Sequence, residues 1–305
     1  MKMNIIIAGG SGLIGRGLVR SLQQSGYSTT ILSRNPDKNK ALNAMNGKVV
    51  SWDLKNPLLQ EEFKGNYAVI NLAGENISSG RWTPLKKQKI ALSRIQSIEK
   101  LAESISLASD QPKVFVQGSA IGYYNAFNRE LCNEDAPKGI GFLSDVVSNT
   151  EQKAKTMFQN VTRLIIIRTG IVYAGNGGAF PKLCSPYRFF AGGPVGKGDQ
   201  WHSWIHIRDE VNAIRFLLER EQSTGIYNLC APTPIQMKDL AQRIGEILNR
   251  PSWLPVPGIA LKMVLGEMAE LILLNGERAI PQKLLSEGFT FNYPEIESAL
   301  KDLLS

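Results

Sequence analysis

The sequence is poor in the residues that build disulfides and metal sites. It has three cysteines and two histidines in 305 residues. Cys132, Cys184 and Cys230 are far apart and odd in number, and no Cys-x-x-Cys occurs. We therefore expect free thiols in a reducing compartment and no metal centre.

Long hydrophobic runs are also missing. The first apolar run is broken by glycines after about five residues, which is not typical of a signal peptide. The stretch from 258 to 274 carries Lys262, Glu267 and Glu270, so it is too short and too charged to span a bilayer. These features predict a cytoplasmic protein that does not enter a membrane.

The charge is unbalanced but not clustered. There are 35 Lys and Arg residues against 27 Asp and Glu residues, a formal net charge of +8. No run of five or more basic residues occurs, so we expect no nucleic-acid partner. Attraction for a phosphorylated small ligand and a merely solvated basic surface both remain open, and the oligomeric state is undetermined.

Short β-branched segments alternate with amphipathic helical patterns along the chain. Most of these segments, such as RLIIIRT at 163–169, are continuously apolar, which is typical of strands buried on both faces. The pattern predicts an α/β fold with a doubly wound parallel sheet, as in Rossmann folds. The predicted strands are 4–8, 28–33, 48–52, 67–72, 113–118, 163–169 and 226–229.

The composition of the sequence changes after the sixth predicted strand, where Gly, Pro and aromatic residues become frequent. We predict a dinucleotide-binding Rossmann domain over residues 1–172 and a substrate-side region over 173–305. Residues 205–230 are expected to return to the Rossmann sheet. Residues 251–305 are expected to form a small, mostly helical C-terminal lobe.

A glycine-rich stretch, AGGSGLIGRG at 8–17, follows the first strand and opens a helix. Gly10, Gly12 and Gly15 form G-x-G-x-x-G, and Gly9, Gly12 and Gly15 form G-x-x-G-x-x-G. Glycine allows the tight turn, lets the backbone approach a pyrophosphate, and lets the helix pack closely on the sheet. The helix N-terminus then binds the phosphates. No G-K-[S/T] follows, which excludes a P-loop.

The end of the second strand indicates which dinucleotide binds. NAD-binding proteins carry an acidic residue there for the ribose hydroxyls. This chain has Ser33 and Arg34 in ILSRNP instead. An arginine and a hydroxyl suit a 2′-phosphate, so NADP(H) is predicted. The alternative is that Arg34 simply extends into solvent.

Several segments together carry a family resemblance. GGSGLIG, SRNP, WDL at 52–54 and NLAGENI at 71–77 resemble the extended short-chain dehydrogenase/reductase superfamily. Four further segments narrow the resemblance, over nearly the whole chain, to its NAD-dependent epimerase/dehydratase-like branch, the epimerase family proteins. These segments are RWTPLKKQKIALSR (81–94), GSAIGYY (118–124), GKGDQWHSWIHIRDEV (196–211) and ERAIPQKLLSEGFTFNYPEIESALKDLL (277–304).

This resemblance and the glycine motif together imply a set of cofactor contacts. Asp53 matches a position near the adenine. Arg94, on a helix beginning near Pro84, could reach a phosphate or could instead pair with an acidic neighbour. The predicted cofactor residues are Gly9, Gly12, Leu13, Ile14, Gly15, Ser33, Arg34, Asp53, Leu72, Ala73, Gly74, Arg94 and Val172.

The catalytic pair of the superfamily is missing. Its members use Tyr-x-x-x-Lys for acid–base work and a Ser or Thr to polarise the substrate oxygen. Ser119 matches that Ser or Thr, but Leu143 and Val147 occupy the tyrosine and lysine positions. Tyr123 or Tyr124, just beyond Ser119, is the predicted substitute acid.

Two interpretations remain open. The chain is either an NADP(H)-dependent oxidoreductase or epimerase acting on a small polar metabolite, or a sensor or scaffold that binds NADP(H) without catalysis. Asp209 is predicted to cap the helix after SWIHI, and His206 is predicted to be structural. Gln200, Trp201, Trp204, Arg188 and Trp82 are candidates for substrate contacts or for simple packing.

Overall fold

The centre of the molecule is a parallel β-sheet. The computed structural model describes residues 3–37, 47–58, 60–124, 126 and 130–305. The strands within these ranges are β1 Asn4–Ala8, β2 Ser28–Ser33, β3 Gly47–Ser51, β4 Tyr67–Asn71, β5 Val114–Ala120, β6 Leu131–Cys132, β7 Arg163–Thr169, β8 Ile171–Ala174, β9 Gly177–Gly178, β10 Trp201–His202, β11 Trp204–His206, β12 Gly225–Leu229, β13 Ile235–Gln236 and β14 Arg278–Ala279.

Helices cover both faces of this sheet and build the C-terminal part. They are α1 Leu13–Gln24, α2 Pro84–Ser106, α3 Phe142–Phe158, α4 Phe180–Arg188, α5 Ile207–Glu219, α6 Met237–Leu248, α7 Gly258–Leu265, α8 Gln282–Ser286 and α9 Ile296–Leu304.

Seven strands form the main sheet in the described residues, in the order β12-β7-β5-β4-β1-β2-β3, with parallel pairing throughout. The seven predicted strands are these seven strands, with ends displaced by two residues at most. The doubly wound α/β prediction is therefore confirmed. The strand order reverses between β1 and β4, and in such folds the ligand lies at that switch point.

Alternation along β1 explains why the sheet is buried on both sides. Ile5 and Ile7 pack with Leu18 and Val19 of α1 on one face. Ile6 packs on the other face, against a cluster that includes residues of α2. Because successive side chains point to opposite faces, a strand between two helical layers must be apolar at every position.

Helix α2 begins where its sequence predicts. Thr83 is the N-cap, and its Oγ1 accepts a hydrogen bond from the Lys86 amide at 3.2 Å. Pro84 occupies the first turn, where a missing N–H costs nothing. This cap fixes the start of the helix that carries Arg94.

The predicted cap of α5 is wrong. His206, not Asp209, is the N-cap, and its Nδ1 accepts from the Arg208 amide at 3.1 Å. Asp209 lies in the first turn and accepts from the amides of Asn292 and Tyr293 at 2.9 and 2.8 Å. Its carboxylate thus anchors the C-terminal segment, a long-range contact that competes with local capping.

The C-terminal part has its own apolar core and also joins the Rossmann part. Trp204, Met237 and Leu300 belong to one buried cluster. Strand β14 pairs with β6, and β12 forms the edge of the main sheet. The chain therefore passes from its C-terminal half back to the sheet, and the division at residue 172 stays a prediction.

Candidate cofactor and substrate site

The glycine-rich turn after β1 is packed too tightly for side chains. Gly9 has φ +81°, and a Cβ there would lie 2.7 Å from the backbone of Leu72. A Cβ on Gly15 would lie 2.3 Å from the Gly9 carbonyl oxygen. Glycine is therefore required at both positions, and the turn brings the start of α1 to the carboxyl edge of the sheet.

A cavity of about 240 Å³ opens beside this turn, at the switch point of the sheet. Ser33 and Arg34 line it from the end of β2, and Leu72 and Ala73 line it from the end of β4. The indole Nε1 of Trp52, which also lines the cavity, is buried without a hydrogen-bond partner in the described residues. These features fit the adenosine and diphosphate of a dinucleotide.

The cavity gathers most, but not all, of the predicted cofactor residues. Of the predicted residues, those on its wall are Gly9, Gly12, Ser33, Arg34, Leu72, Ala73 and Gly74. Those not on its wall are Leu13, Ile14, Gly15, Asp53, Arg94 and Val172. Asp53 is exposed and accepts from the Lys55 amide at 2.9 Å. The roles of all these residues stay predictions.

Six wall residues were not among the predicted contacts: Ser11, Leu32, Trp52, Leu54, Glu75 and Ser93. Glu75 matters electrostatically because its carboxylate lies 2.6 Å from Lys86 Nζ. This ion pair holds the pKa of Glu75 below its usual range, and the nearby charge of Arg34 acts in the same direction. The NLAGEN segment contains Glu75, but its position on this wall depends on the loop after β4.

Arg94 lies under the same loop. Its Nη1 donates to the Ile90 carbonyl at 2.7 Å and to the Glu75 carbonyl at 3.4 Å. A Cβ on Gly74 would lie 3.2 Å from the guanidinium carbon. The Arg94 guanidinium thus donates to backbone carbonyls, while burial lowers its pKa and the nearby charge of Glu75 acts in the opposite direction.

A buried polar cluster occupies the end of β5, where catalysis was predicted. Ser119 pairs in register with Arg168 of β7. The Ser119 hydroxyl donates to Glu151 Oε1 at 2.7 Å, and Arg168 binds Glu151 through Nε and Nη2, both at 2.8 Å. Burial alone would lower the pKa of Arg168, but its bonds to Glu151 outweigh this and raise it.

Sequence reasoning assigned no role to Arg168 or Glu151. The available signal was a charged residue inside the otherwise apolar strand RLIIIRT. A buried charge needs a partner, and Glu151 of α3 supplies it.

The two candidate phenols have different environments. Tyr124 is buried; its hydroxyl donates to Asn228 Oδ1 at 2.7 Å and accepts from Arg168 Nη1 at 3.0 Å. Burial raises the pKa of Tyr124. Tyr123 is partly exposed, and its ring centroid lies 3.4 Å from the Arg168 guanidinium carbon. The structure thus brings Ser119 and both tyrosines together around Arg168.

Apolar side chains occupy the two positions where the catalytic tyrosine and lysine of the superfamily would stand. Val147 is buried in α3. Leu143 lines a small pocket together with Gly122 and Glu277. Neither side chain can exchange a proton, so any acid–base group must come from elsewhere.

The candidates for substrate contact are mostly packing residues. Trp204, Gln200 and Trp82 are buried, and the indole of Trp204 donates to the Thr233 carbonyl at 3.1 Å. Trp201 is partly exposed, and Arg278 lies over its ring. Arg188 is exposed at the end of α4.

The described residues offer neither a metal centre nor a membrane-spanning helix. Within the described residues, no group of three or more His, Cys, Asp or Glu side chains is arranged to hold a metal ion. None of the described helices combines the length and hydrophobicity that a bilayer crossing requires. The three cysteines are buried and carry free thiols.

Family sequence models match two parts of the chain. Residues 5–139 match the NAD-dependent epimerase/dehydratase family. Residues 256–303 match a domain of unknown function, DUF1731. The first match contains the glycine turn and Ser119, and the second contains Glu277.

Curated relatives match over nearly the whole chain. Epimerase family protein YfhF of Bacillus subtilis is 36% identical over 304 residues, covering 99% of this chain and 98% of that protein. The chloroplastic SDR39U1 homolog of Arabidopsis thaliana, also an epimerase family protein, is 36% identical over 99% of this chain and 87% of its own.

Solved structures agree with the fold. The crystal structure of human epimerase family protein SDR39U1 (isoform 2) with NADPH superposes with a TM-score of 0.88 at 30% identity, covering 99% of each chain. UDP-glucuronic acid 4-epimerase of Bacillus cereus, at 16% identity and a TM-score of 0.77 over 99% of each chain, shares the fold. The chain therefore belongs to the epimerase family proteins, which have the extended short-chain dehydrogenase/reductase fold.

Proposed function

We propose that this protein binds NADP(H) and catalyses the oxidation, reduction or epimerisation of a small polar metabolite. The observation that carries the proposal is the cavity at the switch point, where the glycine turn lies opposite Ser33 and Arg34. The relative crystallised with NADPH supports the same cofactor. A cytoplasmic location and the domain boundary at residue 172 form part of this proposal.

The preference for NADP(H) over NAD(H) rests on charge. Arg34 and Ser33 would bind the 2′-phosphate, and neither of these two residues is a carboxylate that would repel it. Glu75 is the one carboxylate among the described residues of the cavity wall, and its charge is offset by Lys86 at 2.6 Å. The amides at the start of α1 would hold the diphosphate.

Bound NADPH supplies a hydride ion for reduction of a carbonyl group. The chain must then position the carbonyl and provide a proton. Ser119, which donates to Glu151, and Tyr123, whose ring lies against Arg168, are the groups we assign to the substrate oxygen. Of the two phenols predicted as the acid, Tyr123 is the better candidate for contact with the substrate oxygen, because the Tyr124 hydroxyl already has two partners in the core.

A second function is favoured by the apolar residues Leu143 and Val147. Because these two residues cannot exchange protons, the protein would bind NADP(H) without catalysis. It would then sense the ratio of NADPH to NADP⁺ or present a surface to a partner. This alternative predicts tight cofactor binding and no turnover.

Two measurements separate the candidates. Calorimetric titration with NADPH and NADH tests the cofactor: tighter binding of NADPH is expected, and equal affinities would contradict the choice. NADPH absorbance is then followed against a library of aldehydes, ketones and nucleotide sugars. Consumption of NADPH supports an oxidoreductase. Because an epimerase returns its cofactor to the starting form, isomerisation of the nucleotide sugars is followed by NMR as well, and cofactor binding with neither reaction supports the sensor.

A further inference from the structure

Glu277 belongs to the C-terminal segment, far from the Rossmann motifs in sequence, and lies beside the turn that follows Ser119. Its main chain is held on both sides. The Ser203 hydroxyl donates to the Glu277 carbonyl at 2.8 Å, and the Gly276 amide donates to the Ala126 carbonyl at 3.3 Å. Strand β14, which follows directly, pairs with β6. These contacts fix the position of the backbone from which the Glu277 side chain extends.

The Glu277 side chain lies beside the position where the family tyrosine is missing. A methyl group on Gly122 would lie 3.6 Å from Leu143 Cβ and 4.0 Å from Glu277 Oε1. Gly122 belongs to the turn that follows Ser119 in the chain. The Glu277 carboxyl and Leu143 therefore both lie beside Gly122.

A small pocket with an apolar wall lies beside these residues. Besides Glu277 and Gly122, it is lined by Phe142, Leu143 and Leu271. It has room for about one water molecule. A substrate oxygen could meet the carboxyl by displacing that water or through it, and a general acid can act through one water.

The surroundings keep this carboxyl able to change its charge near neutral pH. Burial raises the pKa of Glu277 to about 7, while its own backbone N–H acts in the opposite direction. The neighbouring titratable groups are the Cys132 thiol of β6 and the Tyr124 hydroxyl, which has its partners in the core. The adjacent Arg278 places its guanidinium over the Trp201 ring at 4.3 Å.

We propose that Glu277 is the catalytic acid–base residue, replacing the tyrosine that Leu143 has displaced. The inference rests on the proposed function, since it concerns the reaction of the same site. In reduction, the carbonyl carbon receives a hydride from NADPH, and its oxygen receives the proton of the Glu277 carboxyl. NADP⁺ and the alcohol are formed, and the carboxylate regains a proton from solvent. Oxidation is the reverse.

The first experiment measures the carboxyl itself and needs no substrate. The protein is labelled with glutamate carrying carbon-13 at Cδ, saturated with NADPH and titrated by NMR, with Glu277→Gln to assign the signal. We expect a midpoint near pH 7. A midpoint near 4.5, the ordinary glutamate value, would overturn the inference.

The second experiment measures turnover of the best carbonyl compound from the library. Glu277→Gln should lower kcat by about 10²–10⁴ and remove the break in the pH profile near 7, with NADPH affinity within about threefold of the wild type. Glu277→Asp should restore part of the rate. Glu270→Gln is the matched control, because that side chain is exposed and paired with Lys262.

The outcomes separate the two proposals. If the wild type neither consumes NADPH nor isomerises any compound, the proposed activity fails and the acid role fails with it. If the wild type is active and Glu277→Gln is equally active, this inference alone fails. If Tyr123→Phe abolishes turnover while Glu277→Gln does not, the phenol delivers the proton and the carboxyl does not.

Discussion

Glu151 binds Arg168 with both carboxylate oxygens in the interior of the protein. The distances from Oε1 to Nε and from Oε2 to Nη2 are both 2.8 Å, and the side chains are 4% and 2% exposed. Oε1 also accepts the Ser119 hydroxyl at 2.7 Å. The side chain predicted to polarise a substrate is thus held by an ion pair joining α3 to β7.

Removing only one partner of this ion pair should lower the free energy of unfolding strongly. Arg168→Met or Glu151→Leu alone leaves a buried charge without its partner, so each should lower the free energy of unfolding by about 3–5 kcal/mol. The double variant should lose much less than the sum of the single losses. Urea unfolding of the three variants measures this, and additive losses would contradict it.

Arg34→Ala should weaken NADPH binding by roughly 1.5–3 kcal/mol, the range for a hydrogen bond to a charged group. NADH lacks the 2′-phosphate, so its affinity should hardly change. Calorimetric titration with both cofactors gives the comparison, and Arg20→Ala, at an exposed position of α1, is the control. Equal losses for NADPH and NADH would remove the basis for choosing NADP(H).

Gly15→Ala should distort the cofactor turn. The new Cβ would lie 2.3 Å from the Gly9 carbonyl oxygen, which is backbone and cannot swing aside. We expect loss of NADPH binding together with a stability loss of about 1–3 kcal/mol. In Gly17→Ala, two residues along the same helix, the nearest atom is a Val211 methyl carbon at 3.1 Å. That variant should bind NADPH, and comparable binding by Gly15→Ala would sink the prediction.

Loss of the hydroxyl should lower the stability of the protein more at Tyr124 than at Tyr123. Tyr124→Phe leaves Asn228 Oδ1 and Arg168 Nη1 without the buried hydroxyl between them. The free energy of unfolding should fall by about 1–3 kcal/mol. Tyr123→Phe keeps the ring under the Arg168 guanidinium, so its thermal midpoint should stay near that of the wild type. A reversed order of the two losses would show that the phenol environments are misassigned.

Glu210 should make the protein less stable as the pH rises. Burial raises its pKa to about 8, against an ordinary value of 4.5, and the hydrogen bond from Thr169 offsets part of the shift. Between these values the unfolded chain loses a proton that the folded chain keeps, so stability falls from about pH 4.5 to pH 8.

The variant Glu210→Gln should reduce this pH dependence, because the amide oxygen can still accept from Thr169 while no charge is buried. Urea midpoints at several pH values between 4.5 and 8 measure the slope. Glu61→Gln, at an exposed position, should leave the slope unchanged. A slope in Glu210→Gln equal to that of the wild type would contradict the assignment.

Local patterns were sufficient for the Rossmann half of the molecule. Three features can each be recognised in a window of a few residues: the continuous apolar strands, the glycines after β1 and the Ser33–Arg34 pair. Their consequences are local too, since a parallel strand, a tight turn and a strand end follow from steric and solvation rules. The cavity wall formed by Gly9, Arg34 and Leu72 follows from the sheet order that these rules predict.

The cap at Asp209 failed for a different reason. Asp209 is a good local cap by residue type, yet its carboxylate binds the amides of Asn292 and Tyr293. Partners more than 80 residues away cannot be seen in a short window. The same holds for Tyr124, whose burial depends on Asn228 in a distant strand.

The sequence by itself determined the strand pattern, the glycine turn and the charge at the end of β2, because each follows from the side chains of neighbouring residues. Only the tertiary structure decided that Glu151 receives Arg168 and Ser119, and that Glu277 stands beside Leu143. Those pairings join residues far apart in the chain. Which pairing forms depends on how the helices and the C-terminal segment pack. A buried charged group is stable only with a partner, and the packing decides which partner is within reach.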